Sequence, residues 1–195
     1  MSRVLVPASR HEAFVAAAVR RARARALVTG GQFDPATEMG PLVDERQMQR
    51  VLGLIAEGVA GGAAIACGGA RLGSVGCFVA PTVLTGVTDD NACARTEIFG
   101  PVMCVMQYSD SGGLEEAFAR ANGTSFGLAA CLLTRSSATA LRGARELHAG
   151  TVWVNTHGVF DPSVPYGGLK QSGWGKEYGE EGLEAYLEHK TVVMA

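Results

Sequence analysis

Paired cysteines and clustered histidines are both missing from this sequence. Its 195 residues include five cysteines and four histidines, with no Cys-x-x-Cys spacing and no ligand-like spacing among the histidines. An odd number of unpaired cysteines is typical of a reducing compartment, and it argues against a disulfide framework or a structural zinc site. We therefore predict that the protein holds no metal ion.

Long apolar runs and a strong net charge are missing as well. No segment approaches the length of a membrane span, and no early segment has the apolar core of a signal peptide. The net charge is −2, which gives no general attraction to nucleic acid. These observations predict a cytoplasmic protein with neither a membrane partner nor a nucleic-acid partner.

One short segment departs from this charge balance, because arginine occupies four of the six positions from Arg20 to Arg25. Phe14, Val15 and Ala18 precede the arginines at helical spacing. That pattern is typical of a helix with one packed face and one solvated, charged face. A nucleic-acid-binding module is the alternative interpretation, and the lack of a salt-dependent shift with DNA would rule it out.

Strand-like and helix-like segments alternate along the chain, and 47% of the residues are hydrophobic. Strands are predicted at 4–6, 63–67, 78–79, 82–84, 102–108, 128–134, 151–155 and 191–194, and helices at 12–27, 45–59, 113–121, 137–149 and 180–187. Asp44 is the predicted N-cap of the second helix, and Ser136 or Ser137 that of the fourth. Alternation with apolar strands predicts an α/β fold with a doubly wound, mostly parallel sheet.

A compact motif, Glu97-Ile98-Phe99-Gly100-Pro101-Val102, has the residues of a cofactor-facing corner. The carboxylate of Glu97 can accept hydrogen bonds from a ribose diol, and the ring of Phe99 can pack on a flat heterocycle. Gly100 allows a close approach of the backbone. The alternative is a purely structural turn, with a glutamate at a helix end and a phenylalanine in the core.

Four further motifs accompany this corner: Met39-Gly40-Pro41-Leu42-Val43, Phe126-Gly127-Leu128-Ala129-Ala130, Gly150-Thr151-Val152-Trp153-Val154-Asn155 and Pro165-Tyr166-Gly167-Gly168-Leu169-Lys170-Gln171-Ser172-Gly173. In this order and at these separations, the five motifs closely resemble the aldehyde dehydrogenase superfamily. The resemblance runs from Ser2 to the last residues. It covers only the carboxy-terminal part of a typical member.

The resemblance implies an enzyme that converts an aldehyde, NAD(P)⁺ and water into a carboxylic acid and NAD(P)H. Its nucleophilic cysteine stands four residues before a Ser-Arg pair, which here is Ser2-Arg3, so that position falls before Met1. The family's general base, oxyanion-hole asparagine and cofactor domain also have no counterpart in these residues. We therefore expect this chain to be inactive alone, and its binding of NAD or NADP to require the missing domain.

The resemblance also implies a domain organisation and partners. Residues 1–183 would form part of the catalytic domain, and residues 184–195 would supply a strand of an oligomerisation sheet. The expected partners are an aldehyde substrate, the amino-terminal half of the enzyme and homologous subunits, which together predict a homo-oligomer. The identity of the aldehyde and the choice between NAD and NADP are left open.

Roles for individual residues follow from the same resemblance. Glu97 would bind the nicotinamide-ribose hydroxyls and Phe99 would pack beside the nicotinamide. Phe160 and Tyr166 would line the aldehyde entrance, and Glu177 would act as a catalytic proton relay. The structural alternatives are that the two rings only anchor the long loop 155–175, and that Glu177 is a solvated surface glutamate.

Two further expectations concern the five cysteines and the alternative function of the chain. The five cysteines, Cys67, Cys77, Cys93, Cys104 and Cys131, have no histidine at a spacing that would activate them, and we expect them to be ordinary core residues rather than substitute nucleophiles. The alternative function is a non-catalytic remnant that oligomerises or interacts with full-length relatives.

Overall fold

The computed structural model describes residues 2–26, 28–31 and 33–195. These residues form two compact units, the first ending at Ala117 and the second beginning at Phe118. The elements of the first unit, in chain order, are β1 (Arg3–Pro7), α1 (Ala8–Ala26), α2 (Glu45–Ala60), β2 (Ala64–Cys67), β3 (Thr82–Thr85), α3 (Ala92–Arg95), β4 (Val102–Tyr108) and the beginning of α4 (Gly113–Asn122).

A four-stranded sheet organises the first unit, with the strand order β1-β4-β3-β2. β4 pairs in parallel with β1 on one side and with β3 on the other. β2 pairs antiparallel to β3, with a shift of register between Ile65 and Cys67. The sheet is therefore mixed and mostly parallel, and the predicted α/β class is confirmed.

The two faces of this sheet are covered by different helices. Successive side chains of a strand point to opposite faces, and on β4 the buried residues Cys104 and Met106 face a cluster that includes Met48 and Ile55 of α2. Val105, between them, belongs to a second cluster that receives the apolar side of α1. Helices on both faces are the defining feature of a doubly wound fold.

The boundaries of α1 and α2 show which start signals the sequence contains. Asp44 caps α2 as predicted, since its Oδ1 accepts a hydrogen bond from the backbone N–H of Gln47 at 2.7 Å. α1 begins at Ala8, earlier than the predicted residue 12, because Asp110 accepts hydrogen bonds from the backbone N–H and the hydroxyl of Ser9 at 2.9 and 2.7 Å. A cap from a distant residue leaves no local signal. The predicted end of this helix, Leu27, lies outside the described residues.

The second unit contains β5 (Phe126–Gly127), β6 (Ala129–Leu132), α5 (Ser137–Glu146), β7 (Thr151–Val154), β8 (Leu169–Lys170) and α6 (Gly179–Glu184). β6 and β7 pair in parallel, and β5 and β8 pair antiparallel. Ser136 is the N-cap of α5, and its Oγ accepts from the N–H of Thr139 at 3.2 Å.

In the first unit, the predicted strand at 78–79 is reduced to one isolated bridge between Arg71 and Val79.

The predicted strand at 191–194 is not formed in this chain, and residues 187–195 have no regular secondary structure. A strand needs a partner for its backbone N–H and C=O groups, and no described residue pairs with this segment. Val192, Val193 and Met194 are exposed. The role of this segment in oligomerisation stays a prediction.

Candidate functional site

A short turn, residues 96–101, joins α3 to β4 and carries both predicted cofactor-binding residues. Before the turn, the buried side chain of Asn91 caps α3 and donates from Nδ2 to the carbonyl of Gly58 on α2 at 2.9 Å. At the far end, the carbonyl of Pro101 accepts from the N–H of Thr82 on β3 at 2.7 Å. The turn is therefore fixed to a helix at one end and to the sheet at the other.

Two side chains of α2 hold three consecutive carbonyl groups of this turn. Arg50 donates to the carbonyl of Glu97 at 3.1 Å and to that of Ile98 at 2.9 Å. Gln47 donates to the carbonyl of Phe99 at 2.9 Å and to that of Ile98 at 3.3 Å. Residues three apart lie on the same side of a helix, so one helix face supplies both donors. We call these four hydrogen bonds the carbonyl clamp.

The clamp holds Phe99 in an unusual conformation. Its φ is +54°, in the left-handed region that costs a residue with a side chain about 1–3 kcal/mol. Next to it, Gly100 passes so near α2 that an added Cβ would lie 2.7 Å from Cγ2 of Val51. As a result Ile98 points into the core, whereas the ring of Phe99 is 70% exposed.

The carboxylate of Glu97 stands on the same turn and is exposed. Within the described part of the chain, it makes no hydrogen bond or ion pair. An open pocket of about 460 Å³ lies beside this turn, lined by Pro41, Leu42, Val43, Gln47, Arg50 and Phe99. The first unit thus presents an acceptor, an aromatic face and a concave surface at one place.

In the second unit, four aromatic side chains contact one another in series. The ring centroid of Trp153 lies 4.9 Å from that of His157 and 5.7 Å from that of Phe160. The ring of Phe160 lies 5.0 Å from that of Tyr166. All three contacts are edge-to-face, with interplanar angles of 83–89°. We call these four side chains the ring series.

Trp153 is the buried member of the ring series, on β7. Its Nε1 donates to the carbonyl of Val159 at 2.9 Å, which fixes the backbone just before Phe160. Phe160 itself is 51% exposed. One indole therefore connects the sheet to the loop that carries both predicted substrate-facing rings.

Glu177 is connected to the same loop through its backbone. The N–H of Tyr166 donates to the carbonyl of Glu177 at 2.7 Å, and the reverse bond is 2.8 Å long. The neighbouring Lys176 donates from Nζ to the carbonyl of Gly168 at 2.8 Å. The side chain of Glu177 remains exposed.

The remaining polar residues of the loop shape its backbone. Asp161 accepts hydrogen bonds from the N–H and the hydroxyl of Ser163 at 2.9 and 2.8 Å, and these bonds lower the pKa of its carboxyl group. Asn155, with φ of +55°, accepts from the N–H of Thr134 and donates to its carbonyl, both at 2.8 Å. Asp161 closes a turn and Asn155 ties β7 to the end of β6.

The five predicted site residues thus fall into two groups. Glu97 and Phe99 lie together in the first unit, and Phe160, Tyr166 and Glu177 are connected in the second. Sequence reasoning missed the residues that hold them, namely Gln47, Arg50 and Trp153. Trp153 lay inside a recognised motif, whereas the bonds of Gln47 and Arg50 reach backbone groups about fifty positions away and leave no pattern in the sequence.

Burial or a raised pKa argues against an activated thiol at Cys93, Cys104 and Cys131. Cys93 and Cys104 are buried, and their thiols donate to the carbonyls of Leu54 at 3.1 Å and of Cys93 at 3.5 Å. A hydrogen bond with Cys93 and burial raise the pKa of Cys104 well above its usual range. Burial also raises the pKa of Cys131. A raised pKa keeps a thiol protonated and unreactive.

The part of the chain that the structure describes contains neither a group of metal-ligating side chains nor a helix suited to a membrane. No three His, Cys, Asp or Glu side chains there converge on a possible metal position. No helix there has the length and apolar character needed to cross a membrane.

Known proteins are similar to this chain over almost its whole length. The family model described as the aldehyde dehydrogenase family matches residues 1–192. An aldehyde dehydrogenase of Enchytraeus buchholzi is 49% identical over 191 residues, which cover 98% of this chain and 37% of that protein. A mitochondrial aldehyde dehydrogenase of Leishmania tarentolae is 46% identical, over 100% of this chain and 38% of that protein.

The fold is also similar to solved structures. An NAD⁺ complex of aldehyde dehydrogenase from Bacillus cereus superposes with a TM-score of 0.90 and 43% identity, over 96% of this chain and 37% of that one. The chain therefore spans little more than a third of the length of these relatives.

Proposed function

The chain belongs to the aldehyde dehydrogenase family, and we propose that it forms the carboxy-terminal part of the catalytic domain of an NAD(P)-dependent enzyme. That enzyme oxidises an aldehyde, with water, to a carboxylic acid. The observation that carries the proposal is the clamped turn at 96–101, which presents a carboxylate and an exposed ring beside a pocket. Residues 1–183 form the partial catalytic domain in this proposal, and residues 184–195 serve oligomerisation.

The residues of the turn fit a nicotinamide nucleotide. A diol donates two hydrogen bonds to a carboxylate, and the carboxylate of Glu97 is exposed and free to accept them. The ring of Phe99 offers an apolar face to a flat heterocycle. When bound, the nicotinamide supplies the acceptor for the hydride that leaves the aldehyde carbon. Glu97 and Phe99 would fix the position of the bound cofactor. The carbonyl clamp fixes the backbone of Glu97 and Phe99.

The ring series supports an apolar or aromatic aldehyde as the substrate. Phe160 and Tyr166 meet edge-to-face and Phe160 is half exposed, so their rings provide apolar area with little demand for hydrogen bonding. Glu177 is tied to Tyr166 through two backbone hydrogen bonds. In this proposal its exposed carboxylate takes up a proton from the reacting water and releases it to solvent.

The thiol nucleophile, the base for hydrolysis and the oxyanion donors come from outside these 195 residues in this proposal. An aldehyde carbon must be attacked by a thiolate and its oxyanion stabilised before hydride leaves. The buried Cys93 and Cys104 and the raised pKa of Cys131 do not suit that role. We therefore expect no turnover from this chain alone.

Complementation tests the proposal directly. The purified chain is mixed with a polypeptide that carries the remaining part of a family member, and NADH formation is followed with an aldehyde present. We expect NADH only from the mixture, and a strongly reduced rate when the chain carries Glu97→Ala. Aldehyde-dependent NADH formation by the chain alone would refute the assignment of the nucleophile to another segment.

A second candidate function, oligomerisation or interaction with full-length relatives without catalysis, is favoured by one observation. The last dozen residues and α6 expose a series of large apolar side chains: Leu183, Tyr186, Leu187, Val192, Val193 and Met194. Such a surface is typical of a contact with another chain. Co-purification of the chain with a full-length relative would support this function, and failure to associate at micromolar concentration would end it.

The compartment is also a proposal. The unpaired thiols suit the cytoplasm, although one similar relative is a mitochondrial enzyme. Fractionation of cells that express the tagged protein from its own gene distinguishes the two. Signal in the mitochondrial fraction would contradict a cytoplasmic location.

A further inference from the structure

A single buried indole contacts the part of the loop that carries Phe160, one of the two rings to which the proposed function assigns the aldehyde. Trp153 contacts Phe160 directly, and Phe160 contacts Tyr166. Through its Nε1–H the indole also holds the carbonyl of Val159. Trp153 is 9% exposed, whereas Phe160 is 51% exposed. The indole is therefore placed to support the rings and not to meet the substrate itself.

His157 occupies another contact of the same indole. Its ring lies 4.9 Å from that of Trp153 in an edge-to-face arrangement, and the residue is exposed. Aromatic contacts of this type depend on orientation as well as distance. A change in the tilt of the indole therefore passes to Phe160 and from Phe160 to Tyr166.

We propose that Trp153 is a positioning residue that sets the orientation of the substrate-facing rings of Phe160 and Tyr166, and that His157 fixes the indole in turn. The inference rests on the proposed function, because it assumes that these two rings meet the aldehyde. It extends that function by placing the selection of ring-bearing over small aldehydes partly in a buried indole and in the ring that contacts it. A small aldehyde makes few ring contacts and is insensitive to their orientation.

Steady-state kinetics of the complete enzyme, at saturating NAD⁺, tests this inference with benzaldehyde and propanal as probes. His157→Ala removes an exposed ring and is expected to raise KM for benzaldehyde about three- to tenfold, with kcat changed less than about twofold and KM for propanal unchanged. His157→Phe restores a ring edge and is expected to restore KM. Trp153→Phe loses the bond to Val159 and is expected to act like His157→Ala.

The matched control is Trp174→Phe, since Trp174 is the second tryptophan of the chain and is 97% exposed. It should leave both KM values unchanged. Phe160→Ala distinguishes a failure of the positioning role from a failure of the proposed function. If Phe160→Ala raises KM for benzaldehyde but His157→Ala and Trp153→Phe do not, the positioning inference is wrong and the proposed function stands. If Phe160→Ala itself leaves that KM unchanged, the assignment of the rings to the substrate is wrong.

A spectroscopic measurement on the 195-residue chain checks the structural step independently of activity. In a Trp174→Phe background, fluorescence reports Trp153 alone. Adding His157→Ala is expected to shift its emission to longer wavelength and to increase quenching by acrylamide, and His157→Phe is expected to reverse both changes. Identical spectra for all three proteins would show that His157 does not support the indole and would overturn the inference.

Discussion

At the scale of single residues, Arg50 and Gln47 show how a helix can shape a site without entering it. A hydrogen bond contributes about 0.5–1.5 kcal/mol net, and Arg50, an exposed residue, makes two of them to the carbonyls of Glu97 and Ile98. The clamp therefore offsets the conformational cost of the left-handed Phe99. The shape of the turn depends on α2 as much as on its own sequence.

We expect Arg50→Met to raise KM for NAD⁺ about tenfold in the complete enzyme, because the turn loses two of its four clamp bonds. The same change should lower the free energy of unfolding of the chain by about 1 kcal/mol. Arg46→Met is the matched control, since Arg46 is an exposed residue of the same helix. Equal effects of the two substitutions would mean that charge on α2, and not the clamp, matters for the cofactor.

The left-handed conformation of Phe99 predicts that one substitution has opposite effects on stability and on cofactor binding. Phe99→Gly removes the strain of a φ of +54° and should raise the free energy of unfolding by about 1 kcal/mol, after the entropic cost of glycine. It should also weaken cofactor binding, because the ring is lost. Phe99→Ala separates these effects, since alanine keeps the strain and lacks the ring. Denaturant titration measures the stability of both variants, and KM for NAD⁺ reports their cofactor binding. A Phe99→Gly protein less stable than the unmodified chain would contradict the expected release of strain.

Sequence motifs pointed to Glu97 and Phe99 but not to the side chains that hold the backbone of this turn. Glu97 and Phe99 belong to a local motif, and local motifs can be recognised in one sequence. Gln47 and Arg50 bind carbonyl groups, which every residue has, so no side-chain pattern marks the contact. Trp153 was visible within a motif, yet only its distances to His157 and Phe160 show which rings it touches.

At the scale of elements, capping decides where helices begin. The sequence left Ser136 and Ser137 as alternative caps of α5, and only Ser136 accepts from the N–H of Thr139. Ser136→Ala should therefore lower the free energy of unfolding by about 1 kcal/mol. Ser137→Ala, on the first residue of the same helix, should change it by only a few tenths of a kcal/mol, since serine and alanine differ little in propensity there. Urea titration of the chain measures both, and equal losses would contradict the assignment of the cap.

Elements with local signals were predicted well, and those that depend on distant partners were not. β4 was predicted with the bounds that it has, because seven mostly apolar residues follow Pro101 directly. The pairing of β5 with β8 was missed, since each has two residues and more than forty positions separate them. α3 was also missed, because a helix of four residues is too short for a periodic pattern.

At the scale of the whole molecule, the apolar residues at the end of the chain predict self-association. Burying an apolar side chain contributes about 1.5–3 kcal/mol, and Val193 and Met194 are each 89% exposed. The double substitution Val193→Lys and Met194→Lys should therefore shift the chain toward the monomer in sedimentation velocity. Val75→Lys, at a residue 84% exposed in the first unit, is the control. A change in association with Val75→Lys alone would place the contact elsewhere.

Part of the attachment of the loop in the second unit runs through its main chain. Gly150 approaches the carbonyl of Gly167 so closely that no side chain fits between them, and Tyr166 and Glu177 are joined by backbone hydrogen bonds. Attachments of this kind do not depend on which rings the loop presents. Substitutions at 160 and 166 can therefore change the rings that the loop presents without removing these main-chain attachments, so under the proposed function a new preference for aldehydes requires no new loop.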